Sequence, residues 1–111
     1  MRAAPAQTLD IPALQKRLDG GTLVLDVRDA ADYAAGHIDG ARNIPLPELK
    51  ARLQELEGWR DRPVAVICRT DRRSAQAARM LGEEGFREPL LVKEGMQRWQ
   101  NDGLPVTMKT P

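Results

Sequence analysis

The chain has one cysteine, one histidine and four aromatic side chains, and each scarcity removes a class of explanation. A lone Cys68 closes no intramolecular disulfide and forms no CxxC pair, and with His37 as the single imidazole there are too few soft donors for a zinc-type ligand set. Tyr33, Trp59, Phe86 and Trp99 are too scattered for a nucleobase-stacking platform and read as core or rim packing, with Trp99 a candidate for the entrance of a site. Seventeen Lys and Arg against sixteen Asp and Glu leave a net charge of +1, so no whole-chain field draws nucleic acid or an anionic membrane. The longest apolar run is VAVIC, far short of the roughly 20 residues of a membrane span. Residues 1–10 lack an apolar core of signal-peptide length. The expectation is a cytoplasmic protein with no nucleic-acid or membrane partner, no metal and no cofactor.

What is present suffices for one compact core: 111 residues, 41% apolar and 30% charged. Residues 1–6 read as a flexible N-terminal tail, 7–106 as the domain and 107–111 as a C-terminal tail. Ile11, Leu14 and Leu18 recur at helical spacing behind the cap Asp10, with Pro12 in the first turn and Gly20–Gly21 as the stop. TLVLDV is a short β-branched run leading to a helical turn capped by Asp29 and closed by Gly36. A short ARNI strand follows, then an amphipathic helix through Leu46, Leu49, Leu53 and Leu56, stopped by Gly58. Pro63 opens VAVIC, whose lack of alternation marks a strand covered on both faces. Ser74 to Glu84 reads as a helix ending at Gly85, Pro89 to Val92 as a buried strand, and Met96 to Asp102 as a last helix. Alternating strands and helices predict an α/β fold with a mostly parallel sheet and helices on both faces. Chemistry on such a sheet sits beyond the carboxyl ends of the strands.

That rule points at the loop after VAVI. Cys68 is followed by Arg69, Thr70, Asp71, Arg72, Arg73 and Ser74, and three arginines against one aspartate give the loop a local charge of +2. Loop amides, the start of the next helix and the guanidinium groups together favour a thiolate, which is a nucleophile without a general base. The same cradle suits sulfonate or phosphate oxygens. The alternative is an inert cysteine ending a core strand. Its neighbours oppose that, because four of the next five side chains are charged and must reach water or a ligand.

With the loop in view, the sequence resembles the rhodanese-like sulfurtransferases. LVLDVRDAADYAAGHIDGARNIP (23–45) is similar to the family's first signature, CRTDRRS to its active-site loop, and EGMQRWQNDGLPV to its closing signature. Three ordered signatures cover about 7–106 and are far more specific than a lone cysteine motif. The resemblance implies a three-layer domain around a five-stranded parallel sheet. It also implies that Cys68 takes a sulfane sulfur from thiosulfate or a persulfide and passes it to cyanide or a thiol, within a loop of Arg69, Thr70, Asp71, Arg72 and Arg73 closed by Ser74. The implied partners are a small-molecule donor and acceptor, or a sulfur-relay protein. Asp71 stands where many members have glycine, and a tolerance of aspartate for the left-handed conformation is the expected means of closing the loop. Glu94–Gly95 stands where Gly–Gly is common and, being remote in sequence, is expected to touch the mouth at most.

Two other functions compete with this reading. A Cys-x5-Arg phosphatase needs arginine six residues after the cysteine, but residue 74 is Ser and Arg73 comes one position early, in a loop better matched to one sulfur atom than to phosphate. A sulfur-carrier or sensor module with little turnover would use the same loop. His37, in Gly-His-Ile, reads as a turn-holding residue. Arg28 is expected to pair with Asp32, and Glu83–Glu84 is expected to be a solvated corner.

Overall fold

The computed structural model describes residues 7–110. In chain order they form β1 (Gln7–Leu9), α1 (Ile11–Arg17), β2 (Leu23–Asp26), α2 (Ala30–Ala35), β3 (Arg42–Asn43), α3 (Leu46–Leu49) with a 3-10 stretch (Lys50–Trp59), β4 (Pro63–Ile67), α4 (Arg72–Glu83), β5 (Glu88–Val92) and α5 (Gly95–Asn101). The strands make one sheet in the order β1-β5-β4-β2-β3, and every pairing is parallel. The central position of β4 explains why VAVI is apolar throughout: its side chains alternate between two cores.

Leu23, Leu25, Val64 and Val66 face a cluster with Leu49, Leu56 and Leu81, contributed by α3, the 3-10 stretch and α4. Val24, Ala65, Ile67 and Leu90 face another with Ile11, Leu14, Tyr33 and Trp99, contributed by α1, α2 and α5. This is the three-layer α/β arrangement, and each fully buried leucine or isoleucine contributes about 1.5–3 kcal/mol to it. Among the described residues no helix is long and apolar enough to cross a membrane.

Four differences from the sequence reading have local causes. β1 carries no apolar pattern, since Gln7 and Thr8 are exposed, and it exists because β5 offers it a parallel edge, Gln7 opposite Leu90 and Leu9 opposite Val92. The expected single helix through Leu56 is a turn of α-helix followed by a 3-10 stretch that passes Gly58, broken at Arg52 (φ −115°, ψ 17°). In a 3-10 helix residues three apart line one face, so Leu53, Leu56 and Trp59 align on the core. Arg52 braces the break by donating to Glu48 at 3.0 Å and Glu55 at 2.8 Å. α4 starts at Arg72, two residues earlier than expected. At the far end, Thr107 is anchored by two backbone hydrogen bonds with His37, at 2.9 and 2.8 Å.

Asp10 caps α1 as its position suggests, accepting from the Ala13 amide at 2.9 Å. Asp10→Ala is expected to lower stability by about 1 kcal/mol, and Leu14→Ala, at a fully buried site, by about 2–5 kcal/mol. Urea denaturation of the two variants checks both values and their order.

Candidate active site

Alternation along β4 sets the cysteine's direction. Val64 and Val66 point to the α4 face, and Cys68 follows them, 2% exposed. Its Sγ accepts the Ser74 amide hydrogen at 3.3 Å, and the thiol donates to Ser74 Oγ at 3.4 Å, which in turn donates to the Asp71 carbonyl at 3.2 Å. Amides in the first turn of a helix have no partner within it. Asp71 holds the N-cap position of α4 without a side-chain cap bond, so the sulfur takes up one of these free donors itself. It therefore lies at the positive end of a twelve-residue helix.

The opposite side of the loop is fixed by α5. Met96 N–H donates to the Cys68 carbonyl at 2.8 Å and Gln97 N–H to the Arg69 carbonyl at 2.9 Å. A Cβ on Gly95 would lie 2.3 Å from the Cys68 oxygen, 2.4 Å from that of Thr70 and 2.8 Å from that of Arg69. Three successive carbonyls therefore converge on the bare Cα of Gly95. In a trans planar peptide the N–H opposes the C=O, so the amides of Arg69, Thr70 and Asp71 turn away from α5, into the loop. Gly95 thus supports the whole loop, which corrects the expectation that it touches only the mouth. Sequence distance misleads here because β5 pairs with β4, bringing the two strands' outgoing segments side by side.

Two adjoining residues differ from expectation. Asp71 closes the loop at φ −138°, ψ 0°, with no left-handed conformation. Among the described residues the non-glycine residue at positive φ is Glu94, at 66°, followed by Gly95 at 54°, and a side chain there costs about 1–2 kcal/mol. The close fit of Gly95 against the loop fixes the path that forces it.

The β2 end forms the other flank. Asp26 is fully buried and holds Arg28, whose Nη2 donates to Asp26 Oδ2 and to the Gly36 carbonyl, each at 2.8 Å. The expected Arg28–Asp32 pair is replaced by this one. Positions 26 and 28 share a side of the extended chain, and a buried carboxylate requires a partner, whereas Asp32 is solvated on α2. Asn43 Nδ2 then ties the carbonyls of Asp26 and Arg28 at 2.9 Å each.

Of the seven residues read from sequence, Cys68 and Ser74 are brought into contact, and Arg69, Thr70, Arg72 and Arg73 are exposed around the loop. Arg73 reaches across to Asp29, 3.6 Å away, a partner that the sequence reading missed. Among the described residues both hydrogen bonds on Sγ involve Ser74. His37 is buried and stacked on Tyr33 at 3.6 Å, and its Nδ1 bonds the Tyr33 carbonyl at 2.7 Å. A carbonyl only accepts, so Nδ1 carries the proton and the ring holds the turn. Burial, with Asp26 and Asp39 nearby, pushes the Tyr33 phenol up, keeping it a donor to the Ala41 carbonyl. Trp99 belongs to the core, donating to the Pro105 carbonyl at 2.9 Å. The cleft it lines, about 450 Å³, contains no residue of the cysteine loop.

Residues 10–102 match the rhodanese-like domain. The chain belongs to that family. It is 32% identical over 100 residues to a sulfurtransferase of Allochromatium vinosum, covering 88% of this chain and 92% of that protein. It is also 32% identical over 99 residues to the putative sulfur carrier protein YrkF of Bacillus subtilis, covering 87% of this chain and 52% of that one. A rhodanese-related protein from Thermoplasma volcanium superposes with a TM-score of 0.84 at 33% identity, covering 93% of this chain and 99% of that chain. The chain spans 59%, 43% and 52% of the length of three curated relatives that it matches.

The docking of α5 predicts opposite effects at two adjacent positions. Glu94→Gly relieves a left-handed residue and is expected to raise stability by about 0.5–1 kcal/mol after the added freedom of the unfolded chain. Gly95→Ala drives a methyl into backbone oxygens and is expected to lower it by several kcal/mol, on the order of the largest single-site losses. Denaturant melts of both variants test the pair.

Proposed function

We propose that this rhodanese-like domain is a sulfurtransferase in which Cys68 carries the transferred sulfur. The observation that supports the reading most is the sulfur seated on the Ser74 amide at the start of α4, 3.3 Å away, beneath a loop whose other amides turn inward. In the first half-reaction the Cys68 thiolate attacks the outer sulfur of thiosulfate; the S–S bond breaks, sulfite leaves with the bonding pair, and Cys68–S–S⁻ remains. A persulfide RSS⁻ reacts in the same way and releases RS⁻. In the second, cyanide or an acceptor thiolate takes the outer sulfur and the Cys68 thiolate returns. The inward amides of Arg69, Thr70 and Asp71 stabilise the terminal sulfur anion, as fixed dipoles do wherever charge collects. Arg69, Arg72 and Arg73 ring the loop as the contacts for donor and acceptor anions.

Residues 7–106 form the working unit, and the cytoplasm is its setting. Chain composition supports one further point. These 111 residues hold no second thiol, so within them nothing resolves a persulfide on Cys68. The resemblance to a protein named as a putative sulfur carrier favours a second reading, a module that hands sulfur to one partner protein.

Incubation with thiosulfate followed by intact mass measurement is expected to show one added sulfur on the wild type and none on Cys68→Ser. Failure of thiosulfate, polysulfide and glutathione persulfide alike to leave sulfur on the protein would sink the proposal. Fast, saturable thiosulfate:cyanide transfer with ping-pong kinetics would exclude the carrier reading.

A further inference from the structure

α4 carries its charges in an order that opposes its own stability. Arg72 and Arg73 fill its first turn, no acidic residue accompanies them, and Asp71 supplies no side-chain cap bond. The start of a helix is its positive end, which favours anions over cations. The remaining charges follow a line. Ser74, Ala77, Ala78 and Leu81 form the buried face, so at 3.6 residues per turn Arg72, Gln76 and Arg79 stand on the opposite, exposed side. Seven residues separate the two arginines, about 10.5 Å along the axis. Only uncharged side chains, Ala75 and Gln76 among them, are exposed between Ser74 and Arg79.

Neither arginine is engaged within the molecule. Among the described residues seven arginines are in ion pairs, Arg42 donates to the Glu55 carbonyl at 2.8 Å, and Arg62 lies over the Trp59 ring at 4.2 Å. Arg69, Arg72 and Arg79 are in none of these contacts, although Glu83 stands four residues after Arg79 on the same helix. The unmatched arginines are thus gathered on the cysteine loop and on the outer face of the helix that follows it. Carboxylates near the loop lie on its other sides: Asp29 is taken by Arg73 at 3.6 Å, and Asp71 lines a cleft with Glu94 and Gln97 of the α5 side.

This face and the nucleophile share one side of the sheet. Cys68 belongs to the same core cluster as Ala77, Ala78 and Leu81, and its Sγ accepts the Ser74 amide hydrogen in the first turn of α4 at 3.3 Å. Cys68 is 2% exposed, so only a narrow group, such as the terminal sulfur of a persulfide, reaches it while the carrier of that group stays outside. We infer that the outer face of α4, with the edge of the loop, docks an acidic protein partner that exchanges sulfur with Cys68, its carboxylates meeting Arg72 and Arg79. A protein fits better than a nucleic acid, because a net charge of +1 gives no extended field, and two arginines two helical turns apart match carboxylates at the same spacing on another helix. The inference rests on the sulfurtransferase reading and names the chemistry of its partner. In the loading direction Cys68–S⁻ attacks the terminal sulfur of the partner's RSS⁻, the S–S bond breaks, Cys68–S–S⁻ forms, and RS⁻ leaves with the bonding pair and takes a proton from water.

The test loads Cys68 from helical peptides that carry a cysteine persulfide at the amino end and, seven residues apart, two glutamates, two glutamines or two lysines. The second-order rate constant for adding sulfur to the protein, read by intact mass, is expected to be about tenfold higher for the glutamate peptide than for the glutamine peptide, as two exposed charge pairs give at low salt. That gap is expected to close as ionic strength rises. In Arg79→Glu the preference is expected to pass to the lysine peptide, while loading from thiosulfate changes by less than about twofold, because residue 79 lies beyond a Debye length from the loop end of α4. Equal rates for the three peptides in the wild type, a glutamate preference that survives Arg79→Glu, or competition by an oligothymidylate as strong as that of the glutamate peptide, with thiosulfate or polysulfide still loading Cys68, would overturn the inference and leave the sulfurtransferase reading standing. Absence of sulfur on Cys68 after every donor would overturn both.

Discussion

Three backbone carbonyls meeting the bare Cα of Gly95 are the contact on which the candidate site depends. Carbonyls and amides of a planar peptide point in opposite directions, so tying the oxygens of Cys68 and Arg69 to the first amides of α5 commits the following N–H groups to the loop interior. No side chain could mediate this, because the approach is closer than any Cβ allows. The same constraint places Glu94 in a left-handed conformation. A strained residue beside an inward-turned loop is a common association at sites that must be held in shape.

Sheet order makes this contact possible. β4 lies between β5 and β2, all parallel, so their carboxyl ends emerge at one edge of the sheet. The cysteine loop leaves from the middle, α5 supports it from the β5 side, and the Asp26–Arg28 pair braces the β2 side. That pair is buried and bidentate, and its value here is geometric: it fixes the path of 26–28 and so the direction in which Asp29 meets Arg73. A buried ion pair is weak evidence for net stability, but as a brace for a loop it has a clear role.

Electrostatics at the site has two length scales. Next to the sulfur the field is set by backbone dipoles, the Ser74 amide and the start of α4, which are fixed by the fold and weakly screened. Farther out it is set by exposed arginines and aspartates that nearly cancel. Backbone dipoles therefore dominate beside the sulfur, while exposed side chains of both signs surround the loop.

The α/β class, the strand ending in Cys68, the loop of residues 69–74 and the turn-holding place of His37 were all legible in the chain, because apolar runs, caps and turn residues act over a few positions. β1 was not, since its pattern is exposed and only the β5 edge makes it a strand. The break at Arg52, the choice of Asp26 over Asp32 as the partner of Arg28, the Arg73–Asp29 contact and the support from Gly95 were likewise decided by tertiary structure. Each depends on which segments the parallel sheet sets side by side. The sequence by itself determined that the only thiol sits in a polar, arginine-rich loop after a buried strand. Packing decided which backbone groups face that thiol and which carboxylates offset those arginines, because hydrogen-bond directions and charge separations follow from distances in space.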